Sequence, residues 1–288
     1  MARIIDGKAI ADALIGEVAA DARALVEREG IVPTLAVALV GDDPASDIYV
    51  RRKLAACRKA GIASREFRLP ASTQTDELLA LIDCLNADPQ VHGILVQLPL
   101  PPGVNPVLVL NRIDPAKDVD GFHPVNVGRL SSGGDGLIPC TPLGCMMLLE
   151  SVVEEFRGRD CVVIGKSNIV GKPVALLLLE RECTVTVTHI HTANLSAITR
   201  TADILVVAAG APGLVRGDWV KPGAIVIDVG INRLTGADGR PLIVGDCVTS
   251  EIGHAAAITP VPGGVGPMTV ACLLSNTIRA ARRQAGLG

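Results

Sequence analysis

Short apolar runs alternate with longer segments of helical periodicity over the first third of the chain. Apolar side chains recur near helical spacing over residues 7–29, which predicts an amphipathic helix ending at Gly30. The apolar run at 34–40 lies between Pro33 and Gly41 and predicts a buried strand. By the same criteria, the next predicted elements are a helix at 45–60, a strand at 64–69, a helix at 74–87 and a strand at 93–97. Alternating strands and helices indicate βαβ units and a parallel sheet.

The alternation breaks at 113–139, where proline, glycine and aspartate accumulate, and this segment is predicted to be an interdomain crossing. Thr141 and Pro142 then begin a predicted helix to about Glu155, with Pro142 at its first position. The second alternation is predicted to contain strands at 161–164, 184–188, 204–209 and 224–229, helices from Val170 and near 194–200, short strands at 241–244 and 256–259, and a final helix at about 267–283.

Two α/β domains follow from these two alternations. The first is predicted at 1–139 and the second, a Rossmann-type dinucleotide-binding domain, at 140–267, with a cleft between them. The C-terminal helix, within 268–288, is expected to pack back on the first domain.

Composition narrows the possible partners and compartment. Of the 288 residues, 49% are hydrophobic, and the net charge of −3 comes from interspersed acids and bases. The sequence has no cluster of basic residues that would form a basic face, so we expect neither nucleic acid nor a membrane as a partner. The start of the chain lacks a signal-peptide pattern, and the closest of the eight cysteines, Cys140 and Cys145, have no metal-ligand spacing. We therefore expect a soluble cytoplasmic protein with reduced thiols and no metal site.

A glycine-containing turn follows the predicted strand at 161–164. Gly165 and Gly171 frame it, and such a turn lets backbone N–H groups and a helix N-terminus meet a phosphate. The glycine spacing fits neither the dinucleotide fingerprint nor a P-loop, so a tight turn without a ligand stays an alternative. The next strand ends without the acid that NAD-specific folds place there, whereas Lys166 puts a cation in the turn. If it binds a dinucleotide, the turn favours NADP.

Ser46, Tyr49 and Lys53 share one stripe of the predicted helix at 45–60. A lysine partly removed from water can lose its proton near neutral pH and move protons in catalysis. The alternative is a surface lysine beside a packing tyrosine. The similar Tyr-x-x-x-Lys pattern of short-chain dehydrogenases follows the nucleotide-binding turn, but here the pattern precedes that turn, so we reject this assignment.

Further candidates stand at the ends of other elements. Gln97 lies at the carboxyl end of its predicted strand, where open α/β sheets bind ligands. Asp118 and Asp120 offer two carboxylates, and the loop at 262–267 has glycines suited to close backbone approach. Each has a structural alternative, which is turn formation for the aspartates and a rigid hinge for the loop.

Seven stretches form an ordered set of motifs. They are VGDDPAS at 40–46 with Tyr49 and Lys53, GILVQLPLP at 93–101, KDVDGFHP at 117–124, PCTP at 139–142, GKSNIVGKP at 165–173, GAIVIDVGIN at 223–232 and PGGVGPMT at 262–269. In this order and spacing, along nearly the whole chain, they resemble the bifunctional methylenetetrahydrofolate dehydrogenase/methenyltetrahydrofolate cyclohydrolase family.

The resemblance implies oxidation of 5,10-methylenetetrahydrofolate to the methenyl cation with NADP+, then hydrolysis to 10-formyltetrahydrofolate. It also implies a homodimer, and a place in one-carbon metabolism that serves purine and amino-acid biosynthesis. The first domain would then be the folate-binding catalytic domain. The substrate is a tetrahydrofolate derivative, and neither nucleic acid nor membrane is an expected partner.

The resemblance also implies roles for individual residues. Lys53 would manage the proton and water of the hydrolysis, Gln97 would hold Lys53 in place, Tyr49 would pack on the folate, and Asp120 would anchor the pterin. The remaining implied substrate contacts are Leu98, Pro99, Pro262, Gly263 and Gly264. The implied cofactor contacts are Gly165, Lys166, Ser167, Ile169, Val170, Gly171, Ile190, Gly210 and Ile231. Ile190 and Lys166 depart from the family pattern, so NADP is favoured and NAD stays open.

Two other classes of protein compete with this interpretation. A two-domain dehydrogenase of amino or hydroxy acids needs a cationic clamp for the substrate carboxylate, which VQLPLP and KDVDG do not supply. A non-catalytic nucleotide-binding or scaffold protein does not need Lys53, Gln97 and Asp120 together. Retention of both Lys53 and Gln97 also argues against a dehydrogenase that has lost the hydrolase step.

Overall fold

The computed structural model describes residues 1–236 and 239–287 and divides the chain into two compact units. The first unit comprises Asp12–Cys140 and the chain from Val270 onward, and the second comprises Met1–Ala11 and Thr141–Thr269. In chain order the elements are β1 (Arg3–Ile4), α1 (Gly7–Glu29), β2 (Thr34–Val40), α2 (Pro44–Lys59), β3 (Ala63–Leu69), α3 (Thr75–Ala87), β4 (Gly93–Val96), α4 (Pro106–Arg112), α5 (Pro124–Ser131), α6 (Cys140–Glu150), β5 (Asp160–Ile164), α7 (Gly171–Glu180), β6 (Thr184–Thr188), α8 (Leu195–Thr199), β7 (Ile204–Val207), β8 (Ile225–Asp228), β9 (Asn232–Thr235), β10 (Pro241–Val244), β11 (Ala257–Ile258) and α9 (Val265–Gln284). The predicted α/β class is confirmed.

The first unit is built on a parallel sheet of order β3-β2-β4. All seven residues of β2 are buried, which explains why six of them, from Leu35 to Val40, are apolar. Leu78, Ile82 and Leu85 of α3 pack on Ala36 and Ala38 of this sheet. Because the strands are parallel, the chain leaves β2 and β4 at the same edge, and Gln97 lies there.

The second unit contains a parallel sheet of order β1-β11-β8-β7-β5-β6 and an antiparallel pair, β9 and β10, within the described residues. The core strand β7 is buried along its whole length. The sequence analysis did not predict β1, which pairs with β11 through Arg3↔Ala257 and Ile4↔Ile258. The first residues of the chain therefore complete the edge of the second unit's sheet.

The segment at 113–139 lies inside the first unit and contains α5, so its interpretation as an interdomain crossing is wrong. The His123 Nδ1 atom accepts a hydrogen bond from Val125 N at 3.1 Å, and Pro124 occupies the start of the helix. The proline and aspartate that seemed to break the alternation instead organise the start of this helix.

The start and end of α6 also differ from the prediction. The helix begins at Cys140, so Pro142 is its third residue rather than its first, and it ends at Glu150 rather than near Glu155. A proline fits in this first turn because the N–H groups there have no partner within the helix. Over the described ranges, no helix combines the length and apolar character that crossing a membrane requires.

Candidate active site

Helix α2 carries Lys53 and Tyr49 and has a well-defined start. The Asp43 Oδ2 atom accepts hydrogen bonds from both the N and Oγ atoms of Ser46, each at 2.8 Å, and Pro44 follows Asp43. Ser46 is therefore part of the helix cap. One stripe of the helix leaves Tyr49 half-buried and Lys53 only 8% exposed, so Lys53 is not the surface lysine of the alternative interpretation.

Lys53 meets Gln97 in the first unit. The Lys53 Nζ atom donates to Gln97 Oε1 at 3.0 Å, across 44 positions of sequence. Gln97 Nε2 donates to Leu98 O at 2.6 Å, which fixes the orientation of the amide with its oxygen toward the lysine. Leu98 is half-buried and Pro99 is exposed just beyond this pair.

The two aspartates of KDVDG, Asp118 and Asp120, differ in their hydrogen-bond partners. Asp118 is 1% exposed and accepts hydrogen bonds from Phe122 N at 3.2 Å, His123 N at 2.8 Å and Asn126 Nδ2 at 2.9 Å. Its carboxylate therefore shapes the chain that leads into α5, as the turn-former alternative predicts. Burial raises the pKa of Asp118, and these donors oppose that rise.

Asp120 keeps most of its hydrogen-bonding capacity. The structure records one long contact, from Cys140 Sγ to Asp120 Oδ1 at 3.8 Å. Burial raises the pKa of Asp120 to about 6, while the Lys53 cation lowers it and the charge of Asp118 raises it further. Asp120 is thus a half-buried acceptor within electrostatic reach of Lys53.

Two buried side chains that the sequence analysis did not single out hold the Asp120 segment. Asn276 Nδ2 on α9 donates to Val119 O and Ile138 O, both at 2.8 Å. Cys140 Sγ donates to Val119 O at 3.2 Å, and burial keeps its thiol protonated by raising its pKa well above the usual value. An asparagine within a long apolar helix was the available sequence signal.

In the second unit, the turn after β5 requires glycine at two positions. Gly165 has a φ of 118°, and a Cβ atom there would lie 2.2 Å from Ala208 O. A Cβ atom on Gly171 would lie 2.0 Å from Gly165 O. Ser167 Oγ accepts from Val170 N at 3.1 Å and Gly171 N at 3.3 Å, and so caps α7. The two glycines thus let backbone segments approach closely, and Lys166 and Ile169 are exposed in this turn.

The chain after β6 carries hydrogen-bonding groups but no acid. His189 N donates to Thr192 Oγ1 at 2.8 Å, and His191 N donates to His189 Nδ1 at 3.2 Å. Ile190 between them is 91% exposed. The turn therefore presents an apolar side chain to solvent where an NAD-specific fold has a carboxylate.

Gly210 and Ile231 lie at the carboxyl ends of β7 and β8, and both segments are tied to a carboxylate that the sequence analysis missed. Asp246 Oδ2 accepts from Gly210 N at 2.9 Å, and Asp246 Oδ1 accepts from Asn232 Nδ2 at 2.8 Å. Asp228, at the end of β8, is buried beside it. An acid after an apolar run and next to glycine, as in VGD, is the only sequence signal for such a group.

Pro262, Gly263 and Gly264 also lie in the second unit. Gly263 has a φ of 108°, and a Cβ atom on Gly264 would lie 2.6 Å from Pro260 O. These close approaches account for the glycines structurally, and both the hinge and the contact with folate stay predictions.

Comparison with known proteins identifies the family. The family model described as tetrahydrofolate dehydrogenase/cyclohydrolase, catalytic domain, matches residues 5–120, and that described as tetrahydrofolate dehydrogenase/cyclohydrolase, NAD(P)-binding domain, matches residues 139–285. The chain belongs to the tetrahydrofolate dehydrogenase/cyclohydrolase family.

Individual members of the tetrahydrofolate dehydrogenase/cyclohydrolase family resemble the chain over its whole length. "Bifunctional protein FolD 1" of Rhizorhabdus wittichii is 70% identical over 99% of this chain and 97% of that protein. The crystal structure of the Campylobacter jejuni bifunctional enzyme FolD is 49% identical, with a TM-score of 0.94 over 98% of this chain and 99% of that one. The Trypanosoma brucei dehydrogenase-cyclohydrolase, complexed with NADP cofactor and inhibitor, is 41% identical, with a TM-score of 0.94 over 99% and 98%.

Membership of the tetrahydrofolate dehydrogenase/cyclohydrolase family decides between the competing interpretations. The chain is a bifunctional enzyme, a dehydrogenase and a cyclohydrolase that acts on a folate, with an NAD(P)-binding domain. A dehydrogenase of amino or hydroxy acids is not favoured, and neither is a non-catalytic protein. Among the residues that the structure describes, no group of three or more His, Cys, Asp or Glu side chains is placed to hold a metal ion.

Proposed function

We propose that the chain oxidises 5,10-methylenetetrahydrofolate with NADP+ and hydrolyses the methenyl product through Lys53, Gln97 and Asp120. The observation that carries the proposal is the 3.0 Å hydrogen bond from Lys53 Nζ to Gln97 Oε1, with the Asp120 carboxylate in electrostatic reach of the same lysine. The hydrogen bond between Lys53 and Gln97 joins α2 to the carboxyl end of β4, where open α/β sheets bind ligands.

Lys53 and Gln97 serve the hydrolysis. Water adds to the methenyl carbon, a carbon–nitrogen bond of the ring opens, and one proton is released. Lys53 is only 8% exposed, so its amine lies in a site largely shielded from bulk water, where we propose that it moves the proton of the hydrolysis. Gln97 Oε1 accepts a hydrogen bond from the Lys53 ammonium group and thereby orients the remaining N–H groups of the lysine. Tyr49, one helical turn earlier, packs on the folate.

Asp120 anchors the pterin. A carboxylate accepts two parallel hydrogen bonds, which suits an amino group beside a ring N–H. Asp118 cannot take this role because its oxygens are already engaged by backbone and amide donors. Leu98 and Pro99 are proposed folate contacts in the first unit, and Pro262, Gly263 and Gly264 are proposed folate contacts in the second.

The second unit holds NADP+, the cofactor in the T. brucei relative's complex. The turn at Gly165, Ser167 and Gly171 brings backbone close to the phosphates, and Lys166 supplies the cation for a 2′-phosphate. Ile169, Val170, Ile190, Gly210 and Ile231 complete the proposed contacts. The dinucleotide supplies the hydride acceptor when bound.

We also propose the compartment, oligomeric state and metabolic role that the family suggests. The enzyme works in the cytoplasm as a homodimer, and its 10-formyltetrahydrofolate serves purine and amino-acid biosynthesis. The domain boundaries at 1–139, 140–267 and 268–288 are proposals as well. The strand β1 is an exception to the first of them, because it pairs with the second unit's sheet.

The experiment follows methenyl-folate absorbance with the purified chain. Methylenetetrahydrofolate with NADP+ or NAD+ reports the oxidation, and added methenyl-folate reports the hydrolysis. The proposal expects both reactions and faster oxidation with NADP+. Oxidation that is faster with NAD+ would contradict the role of Lys166, and hydrolysis that survives the change Lys53→Met would contradict the mechanism.

A further inference from the structure

One buried carboxylate joins the two segments of the second unit that carry Gly210 and Ile231. Asp246 is fully buried. Its Oδ2 atom accepts from Ala209 N at 2.8 Å and from Gly210 N at 2.9 Å. Its Oδ1 atom accepts from Ala211 N at 2.9 Å and from Asn232 Nδ2 at 2.8 Å. A single side chain thus fixes three consecutive N–H groups after β7 and the residue that follows Ile231.

A second carboxylate fixes the backbone of Asp246 itself. Asp228 Oδ1 accepts from Asp246 N at 3.0 Å and from Gly230 N at 2.9 Å, and Asp228 Oδ2 accepts from Cys247 N at 2.9 Å. These three donors to Asp228 are backbone N–H groups, and three of the four donors to Asp246 are as well, the fourth being the Asn232 amide. Burial raises the pKa of Asp228, and the charge of Asp246 raises it further, while these backbone donors oppose the rise.

The surrounding backbone leaves no space for adjustment. A Cβ atom on Gly230 would lie 2.4 Å from Asp246 Oδ1, and one on Gly245 would lie 2.0 Å from Asp228 Oδ2. The two acids and two glycines therefore form a close-packed unit, which we call the dicarboxylate clamp: Asp228, Gly230, Gly245 and Asp246. A rearranged loop would leave buried donors or acceptors without partners, which is costly.

The position of the dicarboxylate clamp distinguishes it from interactions that only stabilise the sheet. It lies at the carboxyl ends of β7 and β8, the edge at which open α/β sheets bind ligands. At the opposite end of β7, Asp203 accepts from Lys221 Nζ at 2.6 Å and from Asp160 N at 3.1 Å. That ion pair ties the same strand without touching either ligand-binding segment.

We propose that Asp246 is a positioning residue for the dinucleotide: its carboxylate holds the Gly210 loop and the Ile231 segment in the conformation that receives the cofactor. This inference rests on the proposed assignment of the dinucleotide to the second unit. Asp246 touches neither substrate nor cofactor in this role and acts through the backbone that it fixes.

The test compares Asp246→Asn with Asp203→Asn. An amide presents one acceptor oxygen, so two of the four donors to Asp246 would face an NH2 group. We expect the Kd for NADP+ and for NADPH, measured by direct titration, to rise about tenfold or more in Asp246→Asn, because charged hydrogen bonds are lost. Hydrolysis of added methenyl-folate, which needs Lys53 and Gln97 in the first unit, should stay within about twofold of the unmodified chain.

Asp203→Asn is the matched control. It removes a carboxylate charge next to the opposite end of β7 and should lower the Tm while leaving both Kd values unchanged. An equal rise in Kd for the two variants would overturn the proposal, since loss of stability alone would then explain it. Unchanged Kd values in Asp246→Asn would also overturn it.

A second variant covers the case in which Asp246→Asn does not fold. Asn232→Ala removes one donor and leaves the carboxylate intact, and we expect the Kd values to rise about threefold. Unchanged values would overturn the proposal. Absence of NADP(H) binding by the unmodified chain would refute the proposed cofactor and this inference with it, whereas binding by that chain and by all variants alike would refute only this inference.

Discussion

The two units of this enzyme build their candidate sites from different materials. In the first unit, side chains face one another: Lys53 donates to Gln97, and Asp120 lies within electrostatic reach of the Lys53 cation. In the second unit, the proposed recognition surface is backbone, and Asp246 accepts hydrogen bonds from that backbone. Proton transfer needs titratable side chains, whereas phosphate recognition is well served by N–H groups. Substitutions should therefore abolish chemistry in the first unit and weaken binding in the second.

Removing the Lys53 amine should produce the largest effect. Lys53→Met keeps much of the buried aliphatic chain and removes the group that moves the proton, so we expect methenyl-folate hydrolysis to fall about 100-fold or more. Lys59→Met is the control on the same helix, because Lys59 is exposed and pairs with Asp12. Single-turnover hydrolysis measures both variants. A similar loss in Lys59→Met would point to damage to α2 instead of lost chemistry.

The second unit should respond most to a side chain at Gly165. Gly165→Ala combines a positive φ with a Cβ atom 2.2 Å from Ala208 O, so the turn must move. We expect the Kd for NADP+ to rise about tenfold or more and the unfolding free energy to fall by about 1–3 kcal/mol. Gly253→Ala is the matched control in this unit, because nothing lies within 4 Å of its Cβ position. Titration and thermal unfolding distinguish the two variants, and equal effects would refute the steric argument.

A smaller effect is expected from pH in the first unit. The pKa of Asp120 is raised to about 6, so the folate-anchoring carboxylate becomes protonated as the pH falls through that value. The kcat/KM for methylenetetrahydrofolate should be about tenfold below its plateau at roughly one pH unit under the pKa. Asp120→Asn, which cannot ionise, should have a low kcat/KM that does not change with pH over this acidic range. A fall in kcat/KM at acidic pH that persists in Asp120→Asn would assign the titration to another group.

The smallest effect should come from the exposed cation of the turn. Lys166→Ala should lower kcat/KM for NADP+ by about three- to tenfold and leave the value for NAD+ nearly unchanged, because only NADP+ carries the 2′-phosphate. Added salt should reduce the difference between the unmodified chain and the variant. Equal losses with both cofactors would show that Lys166 contacts something other than the 2′-phosphate.

Local patterning accounts for most of the fold. A wholly buried strand such as Thr34–Val40 is recognisable because every residue after Thr34 is apolar and Pro33 and Gly41 bound it. The predicted helix at 7–29 and strand at 184–188 match α1 and β6 to the residue. The strand β1 and the helix α5 were harder, since β1 is too short to show a period and α5 starts within a proline- and aspartate-rich stretch.

The sequence by itself determined the alternation of strands and helices, the chemistry of the motifs and the family that they resemble, because these depend on neighbouring residues. The resemblance singled out Asp120, but only the tertiary structure gave a physical difference: Asp118 accepts from three donors, whereas the recorded contact of Asp120 is the long one from Cys140 Sγ. It also revealed Asp246, whose partners stand up to 37 positions away. A carboxylate's role depends on which donors the fold brings to it, and hydrogen bonds between distant segments leave no periodic trace in the chain.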